Sequence, residues 1–223
     1  MIIIPEIETV VILVPRTGSG SLRRAVAERY PKSMLIYRHM EADGVPLGYD
    51  HWRRVGVVRN PLDRLWSLYK FLTSFSGDHD PDYIEAMRSS VTMPFSDWLI
   101  GNRIPFTTPY DSAGRGRFWP GYTVRHPLPE NRKSQRVYLR PDLGTWVYRY
   151  DQLESLAGLL DVDLSASRQN CTGQPAAPYL SEAAREYLAR WFAWDLEASR
   201  PSTAIAEMQQ QGQQMEAMEA AHG

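Results

Sequence analysis

Residues 10–22 of the chain read VVILVPRTGSGSL, and this stretch carries the strongest structural signal in the sequence. Val10 to Val14 form a continuous apolar, mostly β-branched run that ends at Pro15, which is typical of a strand buried on both faces. Beyond the glycine-rich loop, apolar residues recur at helical spacing until Pro31 ends the pattern. These residues are Leu22, Ala25, Val26 and Tyr30. The stretch therefore predicts a strand, a tight loop and a helix.

The loop between this strand and helix has the composition of an anion site. The first amides of a helix lack internal acceptors, and together with the helix dipole they attract a phosphate. Gly18 and Gly20 allow the backbone to approach a ligand closely, hydroxyl residues add donors, and Arg16 adds charge. The alternative is a simple turn in which Ser19 or Ser21 caps the helix. The loop lacks the Gly-Lys-Ser/Thr ending of nucleoside triphosphatases, which counts against an ATPase or GTPase.

Further elements alternate along the chain in the manner of an α/β protein. Strands are predicted at Met34–Tyr37, Val55–Val58, Gln135–Leu139 and Thr145–Tyr150. Helices are predicted at Leu62–Leu72, Tyr83–Met87, Phe95–Ile100, Leu153–Leu160 and Ser181–Leu196. The first of these helices should place Leu62, Leu65, Trp66, Tyr69 and Leu72 on one buried stripe and leave Arg64, Ser67 and Lys70 off it. This alternation predicts a mostly parallel central sheet, with ligands bound beyond the carboxyl ends of its strands.

Length and composition are those of one globular domain. The 223 residues suit a single domain over residues 1–200, followed by a helical or disordered tail over 201–223. The formal net charge of −1 gives no global attraction for nucleic acid, and no apolar run approaches a membrane span. The single cysteine, Cys171, excludes an internal disulfide framework and favours a reducing compartment. The sequence thus predicts a cytoplasmic protein without nucleic-acid or membrane partners.

A second motif begins where the Val55–Val58 strand ends. Asn60 suits a helix N-cap, Pro61 the first helical position and Asp63 the first turn. Arg59 lies at the strand end, and Ser67 lies two turns into the helix, so the two could grip a phosphate together. Taken separately, Arg59 also suits a surface salt bridge and Ser67 an exposed helix position.

The two motifs together resemble the sulfotransferases that use 3′-phosphoadenosine 5′-phosphosulfate (PAPS), especially the Golgi-type carbohydrate branch and its bacterial and phage relatives. Residues 15–22 resemble that family's loop for the 5′-phosphosulfate, and residues 58–67, VRNPLDRLWS, resemble its 3′-phosphate motif nearly letter for letter. Residues 146–153 are similar to a strand of the family that ends in an acidic residue and leucine, and residues 170–195 are similar to its C-terminal segment.

The resemblance implies a three-layer P-loop-type nucleotide-binding fold and sulfuryl transfer from PAPS to a hydroxyl or amine, with a small molecule or carbohydrate as acceptor. It implies 3′,5′-diphosphoadenosine (PAP) as the product and no metal. The 5′ side would be held by Arg16, Thr17, Gly18, Ser19, Gly20, Ser21 and Leu22. The 3′ side would be held by Arg59 and Ser67. A kinase-like phosphotransferase and a catalytically silent nucleotide-binding or assembly module remain as alternatives.

Two residues of the loop depart from the family pattern. Arg16 stands where the family usually has lysine, and Gly20 where it usually has threonine. Lysine can stabilise, and even protonate, the bridging oxygen of the leaving phosphate, whereas arginine stays charged and only donates hydrogen bonds. The substitution bears on turnover more than on binding.

The general base for the acceptor is expected near the same sheet edge. His39 follows the predicted Met34–Tyr37 strand and resembles a histidine found there in bacterial relatives. Its rivals are His51 and three carboxylates, Glu41, Asp43 and Asp50.

Two further groups could contact an acceptor. A basic run is formed by Arg125, Arg132, Lys133, Arg136 and Arg140. It could receive an anionic glycan or the cofactor, or else be a solvated face. Tyr110, Trp119 and Tyr122 could stack on a sugar or aromatic acceptor, or else pack in the core or within loops.

Overall fold

A computed structural model describes residues 1–36, 39–76, 81–89, 91–101, 131–165 and 178–201. Its strands are β1 Ile2–Ile4, β2 Thr9–Ile12, β3 Met34–Leu35, β4 Arg53–Val58 and β5 Trp146–Arg149. Its helices are α1 Ser19–Arg29, α2 Pro61–Thr73, α3 Pro81–Ser89, α4 Phe95–Gly101, α5 Gln135–Leu139, α6 Leu153–Leu159, α7 Glu182–Trp191 and α8 Ala193–Ala198. Among these helices none is long and apolar enough to cross a bilayer.

The five described strands form one mixed sheet in the order β3-β1-β2-β4-β5. Strands β2, β4 and β5 pair in parallel, whereas β1 is antiparallel to both of its neighbours, β2 and β3. Strand β3 consequently runs in the same direction as β2, and only β1 runs the other way. The predicted α/β class is confirmed, and the sheet is mixed but mostly parallel in its core, where β2, β4 and β5 lie.

Each face of the sheet has its own apolar cluster, because alternate strand residues point to opposite sides. On one face, Ile2, Val11 and Val55 pack with residues of α1 and α6. On the other face, Ile3 and Ile12 pack with Tyr138 and Leu139 of α5. A third cluster joins α2, α4 and α7 beside the sheet. Helices thus cover the sheet on both sides.

The order of the strands creates a switch point between β2 and β4. From β2 the chain passes through α1 to β3 on one side of the sheet, whereas from β4 it passes through α2 and α5 to β5 on the other. Helices α1 and α5 lie on opposite faces. In open α/β sheets such a divergence leaves a crevice at the carboxyl ends of the two strands, where ligands commonly bind.

Most predicted elements are confirmed with small shifts of their bounds, but two predicted elements are wrong and one strand was not predicted. Gln135–Leu139 is the helix α5, because Ser134 caps it through its side chain and its buried residues recur at helical spacing. The buried N-terminal strand β1 had no counterpart in the prediction. The helix expected over Ser181–Leu196 has Ser181 as its N-cap but is interrupted at Phe192, where α7 ends before α8 begins.

The buried face of α2 is wider than the predicted stripe. Arg64 and Ser67 are 0% and 5% exposed, although both were expected off the buried side. The Arg64 guanidinium donates to the carbonyl of Lys133 (3.1 Å) and lies near the Phe192 ring. Helix α2 is therefore buried both against α4 and α7 and against residues 131–135.

Candidate functional site

The two sequence motifs meet at the switch point, and we call the region between the carboxyl ends of β2 and β4 the crevice. The loop over residues 15–18 follows β2, and Arg59 with Asn60 follows β4, its parallel neighbour. The Arg59 Nη1 donates to the carbonyl oxygen of Arg16 at 3.2 Å. The predicted 5′ and 3′ sides are thus in direct contact.

Arg16 also contacts the second motif through its side chain. Its Nε and Nη2 each donate to the Oγ of Ser67 at 3.1 Å, and its guanidinium lies 4.8 Å from the centre of the Phe71 ring. The Arg16 backbone has a φ of 66°, an uncommon conformation for a residue with a side chain. This arrangement turns the Arg16 side chain toward α2 and fastens its carbonyl to Arg59.

Helix α1 begins as an anion site would. Gly18 is its N-cap with a φ of 80°, no side chain among the described residues caps it, and its first turn contains no acidic residue. Helix α2 differs in each respect, since Asn60 accepts from the Leu62 amide at 2.9 Å and Asp63 lies in the first turn. Among the described residues, the N-cap of α1 therefore makes no side-chain hydrogen bond and its first turn carries no negative charge to offset the helix dipole.

Not every predicted loop residue is available to a ligand. The Thr17 hydroxyl is buried and donates to the carbonyl of Val14 at 3.0 Å, while the Leu22 amide donates to Gly18 at 3.1 Å. The Leu22 side chain belongs to the core. Thr17 and Leu22 therefore shape the loop, and the groups best placed for an anion are those of residues 18–21.

His39 lies at the expected edge of the sheet. Its Nδ1 is 2.8 Å from the carbonyl oxygen of Leu13, just beyond β2. Because a carbonyl only accepts, the neutral ring carries its proton on Nδ1 and leaves Nε2 as the basic nitrogen. The residue is only 5% exposed, so an acceptor must reach a largely buried ring.

The rivals of His39 lie in less suitable places. Asp50 and His51 are exposed and precede β4, so they lie at the amino end of a strand whose carboxyl end bears Arg59. Glu41 is fully buried and bonded to Lys133 Nζ at 2.6 Å, and Asp43 is paired with Arg140 at 3.0 Å. The described residues thus leave His39 as the candidate best placed to act as a base.

Within residues 131–140, the predicted basic run does not form a continuous patch. Lys133 is buried with Glu41, and Arg140 is paired with Asp43 and Asp142, whose pKa is lowered by the hydrogen bond from Arg140. Arg132 donates to the Tyr187 hydroxyl at 3.3 Å, whereas Arg136 is exposed. Arg125 and the aromatic residues Tyr110, Trp119 and Tyr122 lie outside the described residues, as do Cys171 and residues 202–223.

Two residues of the crevice were missed by the sequence analysis. Tyr150 follows β5 at the same edge, and the Arg59 guanidinium lies 4.7 Å from the centre of its ring. Gln135 holds the Arg59 backbone, since its Oε1 accepts from the Arg59 amide at 3.0 Å and its Nε2 donates to the Arg59 carbonyl at 2.7 Å. The position of Tyr150 at the end of a predicted strand was a usable signal, whereas nothing local in the sequence marks Gln135.

A surface cavity of about 410 Å³ lies elsewhere, at the amino end of β2. Glu6, Arg29 and Asp161 contribute to its walls, and Arg29 pairs there with Asp161. Because it is at the opposite edge of the sheet from Gly18 and Arg59, it is separate from the crevice.

The chain matches no protein-family model, no curated protein and no solved structure. The functional interpretation therefore depends on the residues and geometry of the crevice.

Proposed function

We propose that the chain is a PAPS-dependent sulfotransferase with a three-layer P-loop-type fold and that the donor binds in the crevice between the ends of β2 and β4. The observation that carries this proposal is the uncapped, acid-free start of α1 beside the side chain of Arg59. The start of α1 follows β2, and Arg59 follows the adjacent parallel strand β4. The two groups therefore suit two separate phosphates of one nucleotide. The acceptor is a hydroxyl or amine, with carbohydrates among the candidates.

On the 5′ side, the amides of residues 18–21 would hold the phosphosulfate. They lie at the positive end of an eleven-residue helix, where an anion is stabilised by backbone donors and by the dipole. Gly18 permits this approach because glycine, which has no Cβ, readily adopts the φ of 80° found at this position. A Cβ on Gly20 would meet no described atom within 4 Å, so there is open space beside the loop at that position.

On the 3′ side, Arg59 and Ser67 would hold the extra phosphate that distinguishes PAPS from an ordinary adenosine nucleotide. Arg16 already links them, through its carbonyl to Arg59 and through its guanidinium to Ser67. A phosphate oxygen is a stronger acceptor for an arginine than a serine hydroxyl, because the hydrogen bond is then between opposite charges. Donor binding would thus draw the Arg16 guanidinium away from Ser67 and onto the 5′-phosphate. Tyr150, which lies beside Arg59, would line the nucleotide site.

The chemistry is a displacement at sulfur. The acceptor oxygen or nitrogen attacks the sulfuryl group, the bond from sulfur to the 5′-phosphate oxygen breaks, and PAP leaves with the bond's electrons. The α1 amides and Arg16 would stabilise charge on the leaving phosphate, as oriented donors do in phosphoryl transfer. The acceptor proton would pass to His39 Nε2, whose tautomer is set by the Leu13 carbonyl.

A second candidate function is nucleotide binding without turnover. It is favoured by Arg16, whose guanidinium is directed at Ser67 and Phe71 and, unlike lysine, does not supply a proton to the leaving oxygen. A transfer assay with sulfur-labelled PAPS and a panel of alcohols, amines and sugars distinguishes the two functions. Labelled product supports the sulfotransferase, whereas PAP binding without product from any acceptor favours the silent module.

Calorimetry with PAP and with ATP plus magnesium tests the proposed ligand. We expect the wild-type protein to bind PAP more tightly than ATP, and Arg59→Ala to weaken PAP binding by about 1–3 kcal/mol. Arg53→Ala is the matched control, since Arg53 lies on the same strand at its amino end and contacts Thr9 and Trp146. Tighter binding of ATP would favour a kinase-like phosphotransferase, and an equal loss in both variants would remove the 3′-phosphate role of Arg59.

A further inference from the structure

The Arg59 backbone lies just past the end of β4 and is held there by the side chain of Gln135. The last parallel register pair of β4 and β5 is Val58 with Arg149, so Arg59 lies one residue beyond the ladder. The Gln135 amide accepts from the Arg59 N–H at 3.0 Å and donates to the Arg59 C=O at 2.7 Å. A carboxamide has one acceptor and a donor group, as a peptide unit has, so Gln135 replaces the missing strand partner.

Gln135 is itself held in place from behind. Gln135 is fully buried, and its backbone N–H donates to Asp195 Oδ1 at 2.6 Å. The neighbouring Ser134 hydroxyl donates to Asp195 Oδ2, so both oxygens of this buried carboxylate on α8 are engaged at the start of α5. A side chain whose neighbours are fully hydrogen-bonded has little freedom to shift.

Helix α5 reaches this position because β4 has no side chain at Gly56. A Cβ on Gly56 would overlap with Leu139 Cδ2, so the glycine allows α5 to lie directly against the strand. The first residue of α5 is then level with the carboxyl end of β4, where Gln135 meets Arg59. We call the two hydrogen bonds between the Gln135 side chain and the Arg59 backbone the clamp. The clamp at the end of β4 thus depends on the close packing of α5 against the middle of the same strand.

We propose that Gln135 is a positioning residue that fixes where the Arg59 guanidinium lies across the mouth of the crevice. With the backbone clamped, the side chain extends to the Arg16 carbonyl at 3.2 Å and over the Tyr150 ring at 4.7 Å. Asp195 supports the clamp from α8. The part of this inference that concerns binding of a 3′-phosphate rests on the proposed function. The part that concerns the position of the Arg59 backbone is independent of it.

The test compares Gln135→Met with Asn131→Leu, two nearly isosteric changes of buried amides. The Asn131 amide donates to the carbonyls of Trp98 and Leu99 in α4 and serves as the control away from Arg59. Amide hydrogen exchange followed by NMR on the ligand-free protein measures the clamp directly. We expect exchange at Arg59 to become about tenfold faster in Gln135→Met and to be unchanged in Asn131→Leu.

Calorimetry with PAP on the same two variants measures the consequence for binding. We expect about a tenfold weaker affinity for Gln135→Met and a wild-type affinity for Asn131→Leu. Unchanged exchange at Arg59 would overturn the clamp, and faster exchange with unchanged affinity would overturn its positioning role. If the wild-type protein did not bind PAP, the proposed function would fail, and exchange at Arg59 alone would decide whether Gln135 positions that residue.

Gln135→Glu provides a second variant in case Gln135→Met does not fold. A protonated carboxyl offers one donor and one acceptor, as the carboxamide does, whereas the ionised form repels the Arg59 carbonyl. The PAP affinity of Gln135→Glu relative to wild type should therefore recover as pH falls through the pKa of the new carboxyl. A ratio independent of pH would contradict the positioning role, because a loss of packing alone does not titrate.

Discussion

Gly18 and Gly20 lie two residues apart in the same loop, yet the structure assigns them opposite tolerance to a side chain. Gly18 has a φ of 80°, and a Cβ on it would lie 3.1 Å from Leu153 Cδ2 and 3.6 Å from Tyr150 Cε2. A Cβ on Gly20 would meet no described atom within 4 Å. Changing each glycine to alanine thus adds the same methyl group in two different environments.

The expected energies follow from these environments. In Gly18→Ala the left-handed conformation costs about 1–2 kcal/mol, and Leu153 must also shift to accommodate the methyl group. In Gly20→Ala the methyl group is exposed near the start of α1, where alanine is favoured over glycine by up to about 1 kcal/mol. The free energies of unfolding of the two variants should therefore differ by about 2 kcal/mol, with Gly18→Ala the less stable.

Urea denaturation followed by circular dichroism measures this difference. In thermal unfolding the same gap corresponds to about 4–8 °C for a domain of this size. Calorimetry with PAP adds a functional readout, since Gly18→Ala displaces the first amides of α1 and should weaken binding, while Gly20→Ala should not. Equal stabilities, or a Gly20→Ala variant less stable than Gly18→Ala, would refute the loop conformation described here.

Three further changes have expected outcomes. Glu41→Gln leaves the fully buried Lys133 ammonium without its counter-charge. The free energy of unfolding, measured by urea denaturation, should therefore fall by about 3–5 kcal/mol, and a loss of less than about 1 kcal/mol would contradict this. Burial raises the pKa of Asp195, so its contribution to stability is full below pH 3.8 and is lost as pH rises through the raised value. The stability of wild type relative to Asp195→Asn should therefore fall with rising pH in urea titrations at successive pH values, and a flat difference would be inconsistent with the raised pKa. Arg16→Lys loses one of the two hydrogen bonds to Ser67, which should lower the free energy of unfolding by about 0.5–1.5 kcal/mol. The same change should raise the rate of sulfuryl transfer, measured with labelled PAPS, because lysine can supply a proton to the leaving oxygen. A slower rate would count against the role assigned to this position.

The local signals in the sequence were sufficient for the strand-loop-helix unit and for the start of α2. Continuous β-branched residues, a glycine loop and helical periodicity are properties of neighbouring residues, so β2, α1 and the Asn60 cap could be predicted. The position of His39 beside the end of β2 also followed, because β3 runs in the same direction as β2.

The remaining features depend on contacts between distant residues. Arg64 and Lys133 are charged side chains that sequence patterns place at the surface. Their burial depends on distant partners, among them Glu41 for Lys133 and the nearby carboxylate of Asp195 for Arg64. Residues 135–139 include Val137, Tyr138 and Leu139, which favour a strand, but the Ser134 cap and the hydrogen bond from the Gln135 backbone amide to Asp195 favour a helix. For the same reason the clamp between Gln135 and Arg59, 76 residues apart, had no local signature.

The most direct test of a 3′-phosphate site is the ratio of dissociation constants for PAP and for adenosine 5′-phosphate, which lacks the 3′-phosphate. The geometry around Arg59 predicts that the wild-type protein prefers PAP by at least about tenfold and that Arg59→Ala loses most of this preference. Equal affinity of the wild-type protein for the two nucleotides, or binding of neither, would contradict the account.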